Sequence, residues 1–170
     1  AAIGWLLAIA GMVFGAWTAE HRPLLPIFTV VAALAMIWAW RLEIPLRWVI
    51  FVAVLGRVLM LPLPPTLSND VYRYLWDGFL STQGVNPFQF APADPELAEF
   101  QGHPTFTAMD TESYFSIYPP VSQLFFSLAA LTGNFSYFVL KVLFATCELT
   151  ALLLLSRLVS PRALFLFAWN

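Results

Sequence analysis

The chain has 170 residues, of which 60% are hydrophobic and only 11% are charged, and its formal net charge at pH 7 is −2. A soluble domain has about 25% charged residues, so this composition excludes an ordinary water-exposed surface and indicates a protein of the lipid bilayer. The nearly balanced charge offers no basic stripe for binding nucleic acid. The single cysteine, Cys147, excludes an internal disulfide framework.

Apolar runs predict five membrane spans and the start of a sixth. A helix of about 20 apolar residues crosses a bilayer core. The runs lie near residues 1–19, 24–40, 48–62, 119–132 and 135–156, and another begins at 163. The predicted fold class is therefore an all-α polytopic membrane protein. The run at 119–132 is short, and its pattern fits a short span or a re-entrant helix equally well.

Charge placement predicts the orientation of these spans. Arg41 and Arg47 lie between the second and third runs, against a single Arg22 between the first and second. Since positive residues favour the cytoplasmic side, we expect residues 63–118 to form an extracytoplasmic loop of a multi-pass plasma (inner) membrane protein. Seven of the ten acidic residues lie in this loop. The apolar run still under way at Asn170 predicts that the chain continues, and we expect residues 1–170 alone to be inactive.

Three ionisable residues interrupt the predicted spans, namely Arg57, Lys141 and Glu148. Arg57 lies near the outer end of the third run, where its long side chain is expected to reach the membrane surface. Glu148 lies near the middle of the 135–156 run. An acid at that depth is costly unless it is paired, so we expect it to face the protein interior and to pair with a group outside residues 1–170.

The loop opens with a predicted amphipathic helix. Prolines 62, 64 and 65 end the third run, residues 66–70 offer capping side chains, and the pattern predicts a helix over Val71–Gln83 that stops at Gly84. The polar residues of this segment recur at the spacing of one helical face, namely Asp70, Arg73, Tyr74, Asp77 and Ser81. A short helix of this kind is typical of the membrane surface.

Two of these polar positions have alternative interpretations. Asp70 fits a helix cap, and it also fits a catalytic carboxylate at the lipid boundary; the two roles are compatible. Arg73 and Asp77 are four residues apart, a spacing typical of a surface ion pair. The competing role for Arg73 is to bind a phosphate, which its planar guanidinium suits.

The rest of the loop predicts less regular structure. Gly84–Phe88 is a turn, and a Pro-rich stretch follows it. His103 precedes Pro104 and is expected to be extended. No second His or Cys accompanies it, so no metal site is predicted. Tyr118-Pro119-Pro120 is expected to open a helix, because proline suits a first turn.

The loop strings resemble those of a known enzyme family. PPTLSNDVYRYLWDG (Pro64–Gly78), GVNPF (Gly84–Phe88), Ala91-Pro92 and IYPPVSQ (Ile117–Gln123) resemble, in this order, segments of the bacterial GT-C glycosyltransferases, in particular the mannosyltransferase-like branch that uses polyprenyl-phosphate sugars. The resemblance covers about residues 55–170, and the first string is the specific one.

This resemblance implies the N-terminal part of a GT-C fold and an inverting hexosyltransferase. The donor would be a polyprenyl-phosphate sugar, mannose in this branch, and the acceptor a glycan or glycolipid at the outer face of the membrane. The catalytic base falls on Asp70. Donor-phosphate and substrate binding falls on Arg73, Tyr74, Asp77, His103, Tyr118 and Gln123. Asn69 stands where the branch often has a second acid, which disfavours a paired-acid metal site, so no cofactor is required.

Two other functions remain open at this level. A transporter or flippase for lipid-linked sugars would use the acidic loop as a gate, but the ionisable residues of transporters usually lie at mid-membrane in repeated halves. A non-catalytic assembly subunit would keep the fold without needing Asp70. The sequence favours the transferase, chiefly through the string at Pro64–Gly78.

Overall fold

A computed structural model describes residues 10–11, 25–65 and 68–168 of the chain, and all the regular elements within these ranges are helical. The α-helices are α1 (Leu25–Ala39), α2 (Leu46–Met60), α3 (Asp70–Thr82), α4 (Pro104–Ala108), α5 (Pro120–Ala130), α6 (Ser136–Leu155) and α7 (Pro161–Ala168), with 3₁₀ turns at Pro95–Leu97 and Gly133–Phe135. The prediction of an all-α chain is confirmed.

Within the described ranges, α6 is the one helix long and apolar enough to cross a membrane, with 20 residues. At about 1.5 Å per residue it is about 30 Å long, which matches the hydrocarbon core. Its most apolar window is only 11% buried, unlike the core helix of a soluble domain. The predicted span at 135–156 therefore corresponds to a helix of spanning length.

The other predicted spans are helical but shorter. The runs at 24–40 and 48–62 become α1 and α2, each of 15 residues, and the run at 119–132 becomes α5, of 11 residues. A helix of 11 residues is about 16 Å long and does not cross a bilayer alone. The run predicted from 163 begins at Pro161. The predicted span at 1–19 lies outside the described residues, except for positions 10 and 11.

The chain divides into two compact units, residues 1–66 with 144–170, and residues 67–143. In the first unit, α1, α2, α7 and the second half of α6 share one apolar core. Its buried members are Ala32, Ala39, Val49, Val52, Ala53, Leu152, Leu164, Phe165 and Ala168. Large apolar side chains also face outward from α1 and α2, as expected of helices in contact with lipid; Ile27, Leu34 and Ile37 are each more than half exposed.

An ion pair inside this first unit corrects two predictions. Arg57 Nε lies 2.8 Å from Glu148 Oε2, and Arg57 Nη1 donates to the carbonyl oxygens of Ala53 at 3.2 Å and Ala168 at 3.0 Å. Arg57 therefore does not reach outward alone, and Glu148 finds its partner within residues 1–170. Glu148 was also expected to face the interior, but its side chain is 56% exposed while that of Arg57 is 15% exposed.

In the second unit, α3 is the central element and packs against α4 and α5. Gly78 allows α3 to approach α5 closely, because a Cβ at this position would overlap the carbonyl oxygen of Phe126. On one side of α3, Leu75 packs with Phe126, Ala129 and Leu140 in one apolar cluster. On the other side, Trp76 and Leu80 pack with Leu97 and Met109 in a second cluster. The helix predicted over Val71–Gln83 is confirmed as α3, but much of its polar side is enclosed by the unit, since Arg73 and Asp77 are buried.

Candidate functional site

The start of α3 leaves the carboxylate of Asp70 accessible. Asn69 precedes the first helical residue without a side-chain cap, and the Oγ of Ser68 accepts the backbone N–H of Asp70 at 3.1 Å. The capping role considered for Asp70 thus falls to Ser68. Asp70 is exposed, and its carboxylate lies in the first turn, where the helix dipole favours negative charge.

Two tyrosines lie beside this carboxylate. Tyr74 is one turn further along α3 and stacks on Phe126, with ring centroids 4.8 Å apart and an interplanar angle of 7°. Tyr118, just before α5, meets Tyr74 edge-on at 4.9 Å and 87°. The two strings that resemble the glycosyltransferases, around Asp70 and around Tyr118, are therefore in contact. We call Asp70, Tyr74 and Tyr118 the Asp70 cluster.

Both tyrosine hydroxyls are held in the neutral form. Burial raises the pKa of Tyr74, and the charge of Asp70 raises it further. Burial also raises the pKa of Tyr118 to about 12, with Tyr74 and Asp70 adding to the increase. A hydrogen bond between Tyr118 and Tyr74 partly opposes the increase for Tyr74. Since a neutral phenol both donates and accepts, the cluster combines one exposed acceptor, the Asp70 carboxylate, with a hydrogen-bonded pair of hydroxyls.

A buried polar network lies directly beneath the cluster. Arg73 Nε donates to Asp77 Oδ1 at 2.8 Å. The other carboxylate oxygen, Asp77 Oδ2, accepts hydrogen bonds from Ser116 Oγ at 2.6 Å and from Gln123 Nε2 at 2.9 Å. Gln123 Nε2 also donates to Ser116 Oγ at 2.7 Å. We call these four residues the Asp77 network; it joins α3, α5 and the segment before Tyr118.

Arg73 extends the network to the backbone. Its Nη1 donates to the carbonyl oxygens of Thr111 at 2.9 Å and Tyr114 at 2.7 Å. The residue is only 2% exposed. Its guanidinium is therefore bound to the backbone of residues 111–114 and is not positioned to bind a substrate phosphate. The ion pair expected from the spacing of Arg73 and Asp77 is present, but both side chains are buried, so its expected position at the surface is wrong.

The predicted site residues thus fall into three groups, of which the third is His103 alone. Asp70, Tyr74 and Tyr118 come together at an accessible position. Arg73, Asp77 and Gln123 also come together, but they are only 2%, 0% and 6% exposed. Their side chains are therefore not accessible to a substrate. Ser116 belongs to the second group and was missed, since a single serine in an irregular segment carries no local signal.

His103 lies apart from the other predicted residues. Its backbone is extended, with φ −70° and ψ 139°, as predicted, and it caps α4 by accepting the backbone N–H of Thr105. Its ring stacks on Phe79, with centroids 4.1 Å apart and an angle of 18°. Burial lowers the pKa of His103 below 6.5. The histidine is therefore neutral at physiological pH, and it lines a cavity away from Asp70.

No cluster of three or more potential metal ligands occurs among the described residues. No protein-family model matches the chain, and neither curated proteins nor solved structures show a significant match to it.

Proposed function

We propose that the chain is part of a multi-pass GT-C glycosyltransferase. It would move a hexose, most simply mannose, from a polyprenyl phosphate to a glycan or glycolipid at the outer face of the plasma membrane, with inversion at the anomeric carbon. The observation that carries this proposal is the contact between α3 and the Tyr118 segment, which brings the two family-like strings together around the exposed carboxylate of Asp70.

The Asp70 cluster has the groups that this reaction needs. Asp70 accepts the proton of the acceptor hydroxyl while the hydroxyl oxygen bonds to the anomeric carbon. The bond from that carbon to the phosphate oxygen breaks on the opposite face, and its electron pair leaves with the polyprenyl phosphate. General-base catalysis of this kind contributes about 10²- to 10⁴-fold. The neutral hydroxyls of Tyr74 and Tyr118, on the same side as Asp70, are suited to hydrogen-bond the acceptor and the sugar.

The Asp77 network has a positioning role in this proposal. Asp70 and Tyr74 belong to α3, while Tyr118 belongs to a segment 44 positions after Tyr74. The bonds of Asp77 to Ser116 and Gln123 fix these two segments relative to each other. Because a displacement of about 1 Å in reacting groups can cost about 10²-fold in rate, a rigid buried network below the cluster favours catalysis without touching the substrate.

Membrane contact is supported by two features. The helix α6 has spanning length and is mostly unburied, and α1 and α2 expose large apolar side chains. Both are expected of a polytopic protein whose helices face lipid. The location of the Asp70 cluster at the outer face follows from the charge distribution of the sequence.

The test is radiolabelled transfer from mannosyl-phosphate polyprenol in membranes of cells that express the gene. Asp70→Asn is expected to lower transfer by at least about 10²-fold, whereas Glu99→Gln, which removes an exposed acid of the same unit, should leave it unchanged. Normal transfer by Asp70→Asn would rule out the base assignment. Movement of the lipid-linked sugar across the membrane without transfer would point instead to a flippase.

A further inference from the structure

The second unit contains a cavity that the Asp70 cluster does not use. It has a volume of about 310 Å³ and lies between α3, α4 and the start of α6. The side chains relevant to its chemistry are Tyr72, Phe79, His103, Thr105, Asn134 and Tyr137. Ligand pockets begin at about 300 Å³, so the cavity is large enough for a small ligand group. We call it the His103 cavity.

Helix geometry separates this cavity from Asp70. The α3 residues that line it are Tyr72, Leu75 and Phe79. At about 100° per residue, they lie within about 60° of one another and between about 140° and 200° around the helix from Asp70. The body of α3 therefore stands between the cavity and the Asp70 carboxylate, and the two are separate places on the unit.

The lining of the cavity carries no formal charge at physiological pH. It contains no Lys, Arg, Asp or Glu, and burial lowers the pKa of its one histidine. The lining itself offers an anionic ligand no cation and a cationic ligand no carboxylate; Lys141, outside the lining, places its Nζ 5.1 Å from the centre of the Tyr137 ring. Since burial of an unpaired charge is costly, the lining favours a neutral ligand.

The cavity nevertheless offers polar groups. Nδ1 of His103 lies 2.7 Å from Thr105 Oγ1 and accepts the Thr105 backbone N–H at 3.4 Å. The tautomer that accepts this N–H on Nδ1 carries its proton on Nε2, and Nε2 makes no hydrogen bond among the described residues. The hydroxyl of Tyr72 and the exposed amide of Asn134 add both donors and acceptors. A purely apolar chain, such as an isoprenoid, would leave these groups unpaired.

Aromatic faces complete the lining. Phe79 stacks on His103, and Tyr72 and Tyr137 contribute two further rings. Flat apolar rings among neutral hydrogen-bonding groups suit a ligand with apolar C–H faces and a rim of hydroxyls. A hexose ring has both properties.

We propose that the His103 cavity binds a neutral hexose unit of a glycan or glycolipid, at a site distinct from Asp70. Ser136 and Tyr137, the first residues of the helix of spanning length, form part of its wall. This placement suits a sugar close to the membrane surface, such as the headgroup of a glycolipid or the end of a membrane-linked glycan. The choice of mannose as the probe rests on the proposed function; the binding itself does not.

The test is direct binding to the full chain in nanodiscs, measured by saturation-transfer NMR and by titration. One arm uses soluble α-mannobiose, and the other uses a mannosyl-diacylglycerol incorporated in the disc. Tyr72→Phe removes one hydroxyl, and His103→Phe removes both ring nitrogens, including the Nδ1 that caps α4. Both keep an aromatic ring, and each should weaken binding by at least about 2-fold, up to about 12-fold for each lost hydrogen bond to the ligand. Tyr114→Phe, at an exposed tyrosine outside the cavity, is the matched control and should bind like the wild type.

The outcomes separate this inference from the proposed function. Asp70→Asn should bind both sugars normally even if it abolishes transfer. Binding in either arm that Tyr72→Phe and His103→Phe weaken supports the site and identifies its source as soluble glycan or glycolipid. The inference is overturned if neither sugar binds, if Asp70→Asn abolishes binding while the cavity variants do not, or if glucuronic acid binds as tightly as mannose.

Discussion

Arg73 Nε and Asp77 Oδ1 are 2.8 Å apart, and the two side chains are only 3% and 1% exposed. The two residues lie one turn apart on α3, yet the other hydrogen bonds of their side chains all reach other segments, from Thr111 to Gln123. The pair therefore does more than stabilise its own helix: it fixes α3 to the chain that ends in Tyr118. Loss of one partner should disturb the whole unit.

Asp77→Ala is expected to destabilise the protein by about 3–5 kcal/mol, because it leaves the guanidinium of Arg73 buried without a counter-charge. The double variant Arg73→Met/Asp77→Leu should be less destabilised than Asp77→Ala, since it removes both charges. Denaturant unfolding in detergent, followed by tryptophan fluorescence, measures both. Glu99→Gln is the control and should stay within about 0.5 kcal/mol of the wild type. An equally small change in Asp77→Ala would contradict the structural role of the pair.

Gly78→Ala is expected to loosen the contact between α3 and α5. A Cβ at this position would overlap the carbonyl oxygen of Phe126, and backbone cannot move aside as a flexible side chain can. Overpacking of this kind costs about 1–3 kcal/mol. Gly102→Ala is the matched control, because a Cβ at that position meets no atom within 4 Å. Equal unfolding free energies for the two variants would show that α3 and α5 do not approach this closely.

Tyr118→Phe is expected to lower sugar transfer, because its hydroxyl is proposed to hydrogen-bond the acceptor or the sugar beside Asp70. A hydrogen bond between neutral groups contributes about 0.5–1.5 kcal/mol, which corresponds to about 2- to 12-fold in rate. The pKa of Tyr118 is about 12, so the contribution should persist at mildly alkaline pH. Transfer by Tyr114→Phe, which changes an exposed tyrosine, should be unaffected. Equal rates for both variants would remove Tyr118 from the mechanism.

The sequence predicted local features of this fold well. Proline at 119 and 120 predicted the start of α5, and Gly84 predicted the end of α3, where its φ is 78°. Each of these signals depends only on residues that are close in the sequence, so no knowledge of the tertiary structure is needed. The helix of spanning length at 136–155 was equally clear, because a predominantly apolar run of about 20 residues can be recognised without knowledge of its partners.

What the sequence did not predict depends on distant partners. A helical period identifies a polar face on α3 but not what that face meets, and here it meets Ser116 and Gln123 rather than solvent. Arg57 and Glu148 are 91 positions apart, so each was interpreted alone. For the candidate site, Asp70 and Tyr118 were found by resemblance, while the burial of Arg73 and Asp77 required the tertiary structure.

The ionisation of His103 should make stability depend on pH in a specific direction. Burial lowers the pKa of this residue in the folded chain below its ordinary value of 6.5. Between the folded value and 6.5 the unfolded chain binds more protons than the native one, so the free energy of unfolding rises with pH through this window and levels off above it. As pH falls through the folded pKa, the stabilisation provided by the neutral ring is lost.

His103→Gln should flatten this pH dependence while keeping a polar side chain beside Thr105. The measurement is the free energy of unfolding of both proteins between about pH 5 and pH 8, where the difference between them should change only on the acidic side. An NMR titration of the His103 ring provides an independent check and should give a midpoint below 6.5. A midpoint at or above that value, or identical pH profiles for the two proteins, would mean that the ring is not held neutral by burial against Phe79. In that case the uncharged character of the His103 cavity would also be lost near neutral pH.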